Sequence, residues 1–340
     1  MEISGLSELS PEGKTQDILV IGAGGAGARV IRQLSQIREH AVRSIAIDRD
    51  PEILANISPA IPFLLKSSYF AEPFGLCGGD PDLVDRVADA SRRALPDLDP
   101  FLGHPEFCFI VAGMGGNTGT GVLPVLAKTL MDRGTVVTAI VTSPFSIERG
   151  RSRQARMETE ALRINVHSLI VLDLNRLNSI LSPGLPMGNH FAYMDQFLAD
   201  TIHSICETTH PNSFMPFGAT DLHIILGQGS TGTIVTGEYN NEAAVTPSPE
   251  AKLQYAFGDI IDDEVTQCLI QIIGGKDMGL HEADFLANSL IGTFNTHADI
   301  VWGACVKKKM KERVRWIMLV MKTTSGSNRE SNPGATIPDT

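Results

Sequence analysis

The chain has no CxxC pair, and its five cysteines (Cys77, Cys108, Cys206, Cys268 and Cys305) are an odd, scattered set. That excludes a disulfide framework and fits a reducing compartment. Cys108, inside the apolar run "FCFIVAG", reads as small core filler. Basic charge is also scarce: 28 Lys and Arg face 39 Asp and Glu, a formal net charge of −11. Such a surface cannot replace the counterions of a nucleic acid, which excludes non-specific nucleic-acid binding. It equally excludes a purely electrostatic membrane contact. No apolar run approaches the ~18 residues of a membrane span, and the acidic N-terminus has no apolar signal core. There is no internal repeat, and no Ser-His-Asp or Cys-His arrangement can be placed. The expectation is a soluble cytoplasmic protein with no nucleic-acid partner and no direct membrane insertion.

The 340 residues are 43% hydrophobic and 20% charged, enough for a packed core and for two domains, or one large α/β domain with an appendage. From Asp17 onward apolar runs alternate with helical stretches. "ILVIG", "SIAID", "IPFLL", "FCFIVAG", "VVTAIVTSPF" and "SLIVLDL" read as strands. "GARVIRQLSQI", "DPDLVDRVADASRRAL", "VLPVLAKTLMDRG" and "RQARMETEALRI" read as helices, the second opening on Asp80-Pro81 and the third stopped by Gly134. Alternation of this kind predicts a parallel sheet covered on both faces. A long helix follows over about 189–209. Beyond it, "LHIILGQG", "TQCLIQIIGG", "ADIVWGACV" and "VRWIMLVM" read as strands, with helices near 249–258 and 282–294, giving a smaller α+β unit. The predicted organisation is a flexible arm (1–14), a Rossmann-like nucleotide-binding domain (15–186), the central helix with its following loop (187–218), an α+β domain (219–323) and a polar tail (324–340).

Two glycine-rich loops each join a strand to a helix. Gly22 to Gly27 match G-x-G-x-x-G, and Asp48 ends the next strand where a dinucleotide fold places its ribose-binding acid. Alone, this loop leaves a nicotinamide or flavin enzyme open. The second loop, Gly113 to Gly121, packs five glycines and two threonines into nine residues and has no lysine. It is therefore not the G-x-x-x-x-G-K-[ST] loop. Phosphates there must be held by backbone N–H groups and by the hydroxyls of Thr118 and Thr120, with hydrated Mg²⁺ adding positive charge. A nucleoside triphosphate spread over two strand ends uses both loops; a dehydrogenase has no use for the second.

"AGMGGNTGTG" closely resembles the signature loop of the tubulin/FtsZ family, in its bacterial FtsZ form, and the resemblance extends over about residues 15–323. It implies GTP or GDP with Mg²⁺ as the ligand, held by phosphates and water, and a self-assembling GTPase that forms head-to-tail filaments in cell division. By resemblance the first loop contributes Gly24, Gly25, Ala26, Gly27 and Arg29. "GLCGGDPDLV" contributes Gly78 and Gly79 near the γ-phosphate. The signature loop contributes Gly115, Gly116, Asn117, Thr118, Gly119 and Thr120. "VTSPFSIER" places Glu148 on the ribose, and Phe191 and Asp195 on the central helix meet the guanine. One helical turn separates Phe191 from Asp195, so they share a face. A carboxylate can accept from guanine N1–H and the exocyclic amine, which adenine does not offer.

This sequence departs from the family pattern in four places. The family's base-reading Asn falls on Leu174, with Asn175 one residue on, leaving selection to Asp195 or to a shifted Asn175. The nucleotide arginine falls on Ser152 by forward count and on Arg151 by backward count, and Arg151 is favoured. In the loop after the central helix, the family's Asn and first Asp fall on Pro216 and Gly218; only Asp221 remains as the catalytic carboxylate from a neighbouring subunit. The tail "ATIPDT" lacks the peptide that meets membrane anchors, so division-ring anchors are not identified.

Other features carry ordinary readings. His203, Cys206, Glu207 and His210 read as polar residues of a buried helix rather than a metal site. "VKKKMKERVR" (306–315) reads as a solvated hairpin end, and "GQGSTGTIVTGE" (227–238) as a loop. Two alternatives to the leading function remain: an FtsZ-like paralogue that polymerises but hydrolyses GTP poorly, and, remotely, an NAD-dependent oxidoreductase.

Overall fold

The computed structural model describes residues 17–37, 42–71, 81–177, 186–240, 255–258, 264–292, 298–311 and 313–323. The expected arm (1–14), the tail (324–340) and the Gly78–Gly79 loop lie outside them. Strands β1 (Ile18–Ala23), β2 (Arg43–Asp48), β3 (Ile61–Leu64), β4 (Phe107–Gly113), β5 (Val136–Ser143) and β6 (Ser168–Asp173) alternate with helices α1 (Gly24–Gln36), α2 (Pro81–Leu102), α3 (Asn117–Met131) and α4 (Arg149–Leu162). The strands pair in parallel in the order β3-β2-β1-β4-β5-β6.

Strand side chains alternate between faces. Val20, Phe109 and Val111 therefore pack with Val30, Ile31 and Leu34 of α1. Leu19, Ile21 and Ile110 pack on the other face with Val87 of α2 and Leu123, Leu126 and Leu130 of α3. Both faces are buried, which is why these strands are continuously apolar.

The central helix, α5 (Met187–Thr208), lies on the α1 face. Then come α6 (Ala219–Leu226), β7 (Ser230–Asn240), β8 (Tyr255–Ala256), β9 (Gln267–Gly274), α7 (Leu280–Ile291), β10 (Asp299–Val306) and β11 (Arg313–Thr323). The sheet continues through β7 in the order β6-β7-β11-β9-β10, with β8 on β7. β11 runs antiparallel to β7 and β9, and β10 runs parallel to β9. Leu269 and Ile273 of β9 face Ile202 and Ile205 of α5, whereas Ile270 and Ile272 face Leu286 and Leu290 of α7.

Four expectations are corrected. "DLHIIL" is the helix α6, not a strand: Leu222, Ile225 and Leu226 bury one helical face, and the Asp221 carboxylate accepts from the Gly218 N–H at 2.7 Å, closing half a capping box. "GQGSTGTIVTGE" is mostly the strand β7, with eleven residues in register with β11. The helix expected near 249–258 is replaced at 255–256 by strand β8, and 249–254 lies outside the described residues. The basic run 306–315 does not close a hairpin, because β10 and β11 flank β9 instead of pairing. One of its lysines also turns inward: Lys307 Nζ lies 3.1 Å from Glu207 Oε2 and 2.8 Å from Ser204 Oγ. A protein cation thus sits beside His203, at 3.4 Å from Nδ1, and Glu207, where a metal would have to bind.

Candidate functional site

At the carboxyl ends of β1, β4, β5 and β6 lies a cleft of about 1010 Å³. Open α/β sheets place ligand crevices at this edge. Two helices begin there, and neither start has a side-chain cap: α1 after Ala23 and α3 after Gly116. Their first turns carry no acidic residue. Uncapped N–H groups and two helix dipoles therefore converge on one space. The loops also touch each other. Gly24 has φ +74°, and a Cβ there would sit 2.7 Å from Gly119 N, so only glycine satisfies both the turn and the approach.

Of the residues expected at a nucleotide, Gly24, Gly25, Ala26, Arg29, Gly116, Asn117, Thr118, Gly119, Glu148, Arg151, Phe191 and Asp195 line this cleft. Three others do not. A Cβ on Gly27 would meet Val111 O at 2.4 Å, so this glycine lets α1 lie against β4. Gly115 turns the backbone beneath Arg151, with its own Cβ position 2.5 Å from Arg151 O. Thr120 points into the protein, 1% exposed. Thr120, the fourth residue of α3, does not line the cleft, and its hydroxyl is buried without a hydrogen-bond partner among the described residues.

Two ambiguities are resolved by direction. Arg151 lines the cleft, donating to Glu148 Oε2 at 2.6 Å, while the Ser152 hydroxyl turns back to Phe145 O at 2.9 Å. Asn175 does not reach the cleft: its side chain accepts from Ser146 N at 3.0 Å and donates to Asp173 Oδ1 at 2.6 Å. Leu174 does line it. Asp195 lines the cleft beside Arg29, whereas Asn175 does not.

Asp195 is 6% exposed, and burial pushes its carboxyl above the usual range, opposed by Arg29. Asp48 also lines the cleft and is pushed up by burial, opposed by the backbone N–H of Asp50 at 2.9 Å. The sequence reading missed Phe145, whose ring meets Phe191 edge-on at 5.8 Å, and Thr142 and Ile53 on the lining. Thr142 is near the end of β5 and Phe145 follows it closely, and that position at the carboxyl end of a parallel strand was the available signal.

Asp221 is far from this cleft. Two residues along α6, the His223 ring packs 4.8 Å from that of Phe107. Phe107 begins β4, whereas the cleft lies past Gly113 at its end.

Comparison with known proteins agrees with this architecture. Residues 17–182 match the tubulin/FtsZ family GTPase domain, and residues 230–324 match the FtsZ family C-terminal domain. Cell division protein FtsZ 2 of Haloferax volcanii is 33% identical over 304 residues, covering 89% of this chain and 74% of that one. Cell division protein FtsZ 2 of Methanocaldococcus jannaschii is 28% identical over 326 residues, covering 94% and 84%. Among solved structures, an FtsZ dimer from M. jannaschii superposes with a TM-score of 0.79 at 25% identity, covering 93% of this chain and 94% of that one. A GTPγS-bound CetZ2 protofilament from H. volcanii shares the fold, with a TM-score of 0.73 at 17% identity and coverage of 91% and 95%. With a GTPase domain and an FtsZ C-terminal domain matched in order along one continuous sheet, the chain belongs to the tubulin/FtsZ family.

Proposed function

We propose that this chain binds GTP in the cleft, assembles head to tail into filaments in the cytoplasm, and acts at the division site. The observation that carries the reading is the meeting of two uncapped helix N-termini with an aromatic and a buried carboxylate at one cleft. Phosphates are the ligand chemistry such a pair of helix mouths favours. The first turns of α1 and α3 hold the phosphates through backbone N–H groups, with the Thr118 hydroxyl beside them. Glu148 takes the ribose, Phe191 stacks on the base, and Asp195 accepts from guanine N1–H and the exocyclic amine. Mg²⁺ bound with the triphosphate would supply positive charge that this lysine-free loop lacks.

Hydrolysis is completed in trans. Asp221 lies at the amino end of the sheet and the cleft at its carboxyl end, so a head-to-tail contact brings one subunit's Asp221 to the next subunit's nucleotide. Such a contact is heterologous and open-ended, and it propagates. Pro216 and Gly218 offer no side chain to hold the attacking water. The loop has little freedom to re-register: Met215 N and O bond Ala304 at 2.9 and 3.0 Å, and Phe217 N donates to Thr208 O at 3.0 Å. Turnover is therefore slow for the family. That same observation favours a second reading, a filament-forming paralogue that hydrolyses little.

Purified protein is expected to retain guanine nucleotide and, with GTP, to give sedimentable polymer above a critical concentration. Asp195→Ala is expected to lose guanine-over-adenine preference by about 1–3 kcal/mol, roughly 5- to 150-fold in relative affinity. Recovery of NAD, equal competition by ATP, or a monomer at every concentration with GTP bound would each overturn the reading.

A further inference from the structure

The two residues assigned to the base are already engaged by one side chain. Arg29 Nε donates to Asp195 Oδ2 at 2.7 Å. The Arg29 guanidinium carbon also lies 5.7 Å from the centre of the Phe191 ring. Arg29 belongs to α1 and the other two to α5, 166 residues along the chain, so the packing of these helices makes the arrangement.

The chemistry of this contact matches that of the expected ligand. Guanine presents N1–H and an exocyclic amine on a carbon flanked by nitrogens, which is a guanidine unit fused into a flat ring. An arginine head is a planar guanidinium that forks onto carboxylates and stacks on aromatic faces. Asp195 and Phe191 meet in Arg29 the same donor edge and the same flat face that a guanine would bring. Arg32, the neighbouring cation, is held elsewhere: it donates to Ile53 O at 2.7 Å and Ala55 O at 3.2 Å. Arg29 is also free to leave, because its side chain is 41% exposed while that of Asp195 is 8% exposed.

We propose that Arg29, expected by resemblance to contact the nucleotide, is instead an internal stand-in for guanine, filling the base subsite of the nucleotide-free protein and leaving when nucleotide enters. This rests on the assignment of Asp195 and Phe191 to guanine made above. Two consequences follow. The buried carboxylate is never left without a partner, so the empty site keeps its shape. Entry of the base also requires an exchange, so a ligand unable to donate to Asp195 cannot displace the plug on equal terms. Adenine fails that exchange twice, since it gives Asp195 nothing and leaves the Arg29 pair broken.

The test is stopped-flow binding of a fluorescently labelled GDP to nucleotide-free full-length protein, with labelled ADP as control. Arg29→Ala opens the subsite, and Arg29→Met opens it while keeping the apolar stem should the alanine variant fold poorly. Loss of a partly exposed ion pair is expected to raise the GDP association rate roughly 1.5- to fivefold, with the dissociation rate unchanged and ADP gaining at least as much. In an Asp195→Asn background the same Arg29 substitution is expected to give no acceleration for GDP. A faster dissociation rate in the Arg29 variants would instead make Arg29 a contact to bound nucleotide and overturn the proposal, as would unchanged kinetics. If the parent binds labelled GDP and ADP alike, the guanine assignment itself fails, an outcome distinct from altered or unaltered kinetics in a guanine-selective parent.

Discussion

Replacing Asp221 by alanine is expected to lower assembly-dependent GTP turnover by about 10²–10⁴-fold, the usual contribution of a positioned general base. Nucleotide binding should hold, since Asp221 lies at the end of the sheet away from the cleft, and filaments should persist longer. The structure adds a complication and a way around it. Asp221 Oδ2 also accepts from Gly218 N at 2.7 Å and so supports the start of α6; losing such a hydrogen bond costs about 0.5–1.5 kcal/mol of stability. Asp221→Asn separates the two jobs, because an amide oxygen still accepts from that N–H but takes no proton from water. Phosphate release and thermal unfolding of both variants decide the matter. If the carboxylate acts on water, both lose turnover and only the alanine variant loses stability. Turnover at the parent rate in the asparagine variant would reduce Asp221 to a helix cap. Filaments of the parent that release no phosphate at all would favour the paralogue reading.

The second large effect is expected at Gly116. Its backbone (φ −101°, ψ 148°) is ordinary extended geometry, and a Cβ there would meet only Gly113 O at 3.8 Å and Arg151 Nη2 at 3.9 Å. The fold therefore has room for a side chain. Gly116 is also the residue before the first turn of α3, where serine is a favoured cap. Gly116→Ser places a hydroxyl that bonds the same N–H groups a phosphate needs. Two charge-assisted hydrogen bonds lost at about 1.5–3 kcal/mol each amount to roughly 10²–10⁴-fold in affinity. Thermal unfolding without nucleotide should be unchanged or slightly raised. Gly24→Ala is the contrast: positive φ and the 2.7 Å approach to Gly119 N make it a folding defect as well as a binding one. Nucleotide affinity equal to the parent's in Gly116→Ser, measured by calorimetry, would remove the signature loop from the phosphate site.

Much of this molecule was legible in the order of residues. Continuous apolar runs such as "ILVIGA" and "FCFIVAG" can be satisfied only between two covered faces, so β1, β4 and their partners were set by hydrophobic burial alone. Glycine-rich turns between a strand and a helix can open an anion-binding helix mouth, and helical periodicity put Phe191 and Asp195 on one face. Tertiary structure decided what local pattern left degenerate. "LHIIL" is too short for its period to separate helix from strand; capping by Asp221 and burial of Leu222, Ile225 and Leu226 made it helical. The stretch from Ser230 has weak intrinsic preference and became a strand because β11 offers it a partner along its whole length. Composition cannot say which glycine faces a ligand: Gly24 lines the cleft and Gly27 lies against β4, a difference visible only in the 2.4 Å approach of Val111 O. The pairing of Arg29 with Asp195 is of the same kind, because no local rule connects residues 166 apart; only the packing of α1 on α5 brings a guanidinium to the Asp195 carboxylate and the Phe191 ring.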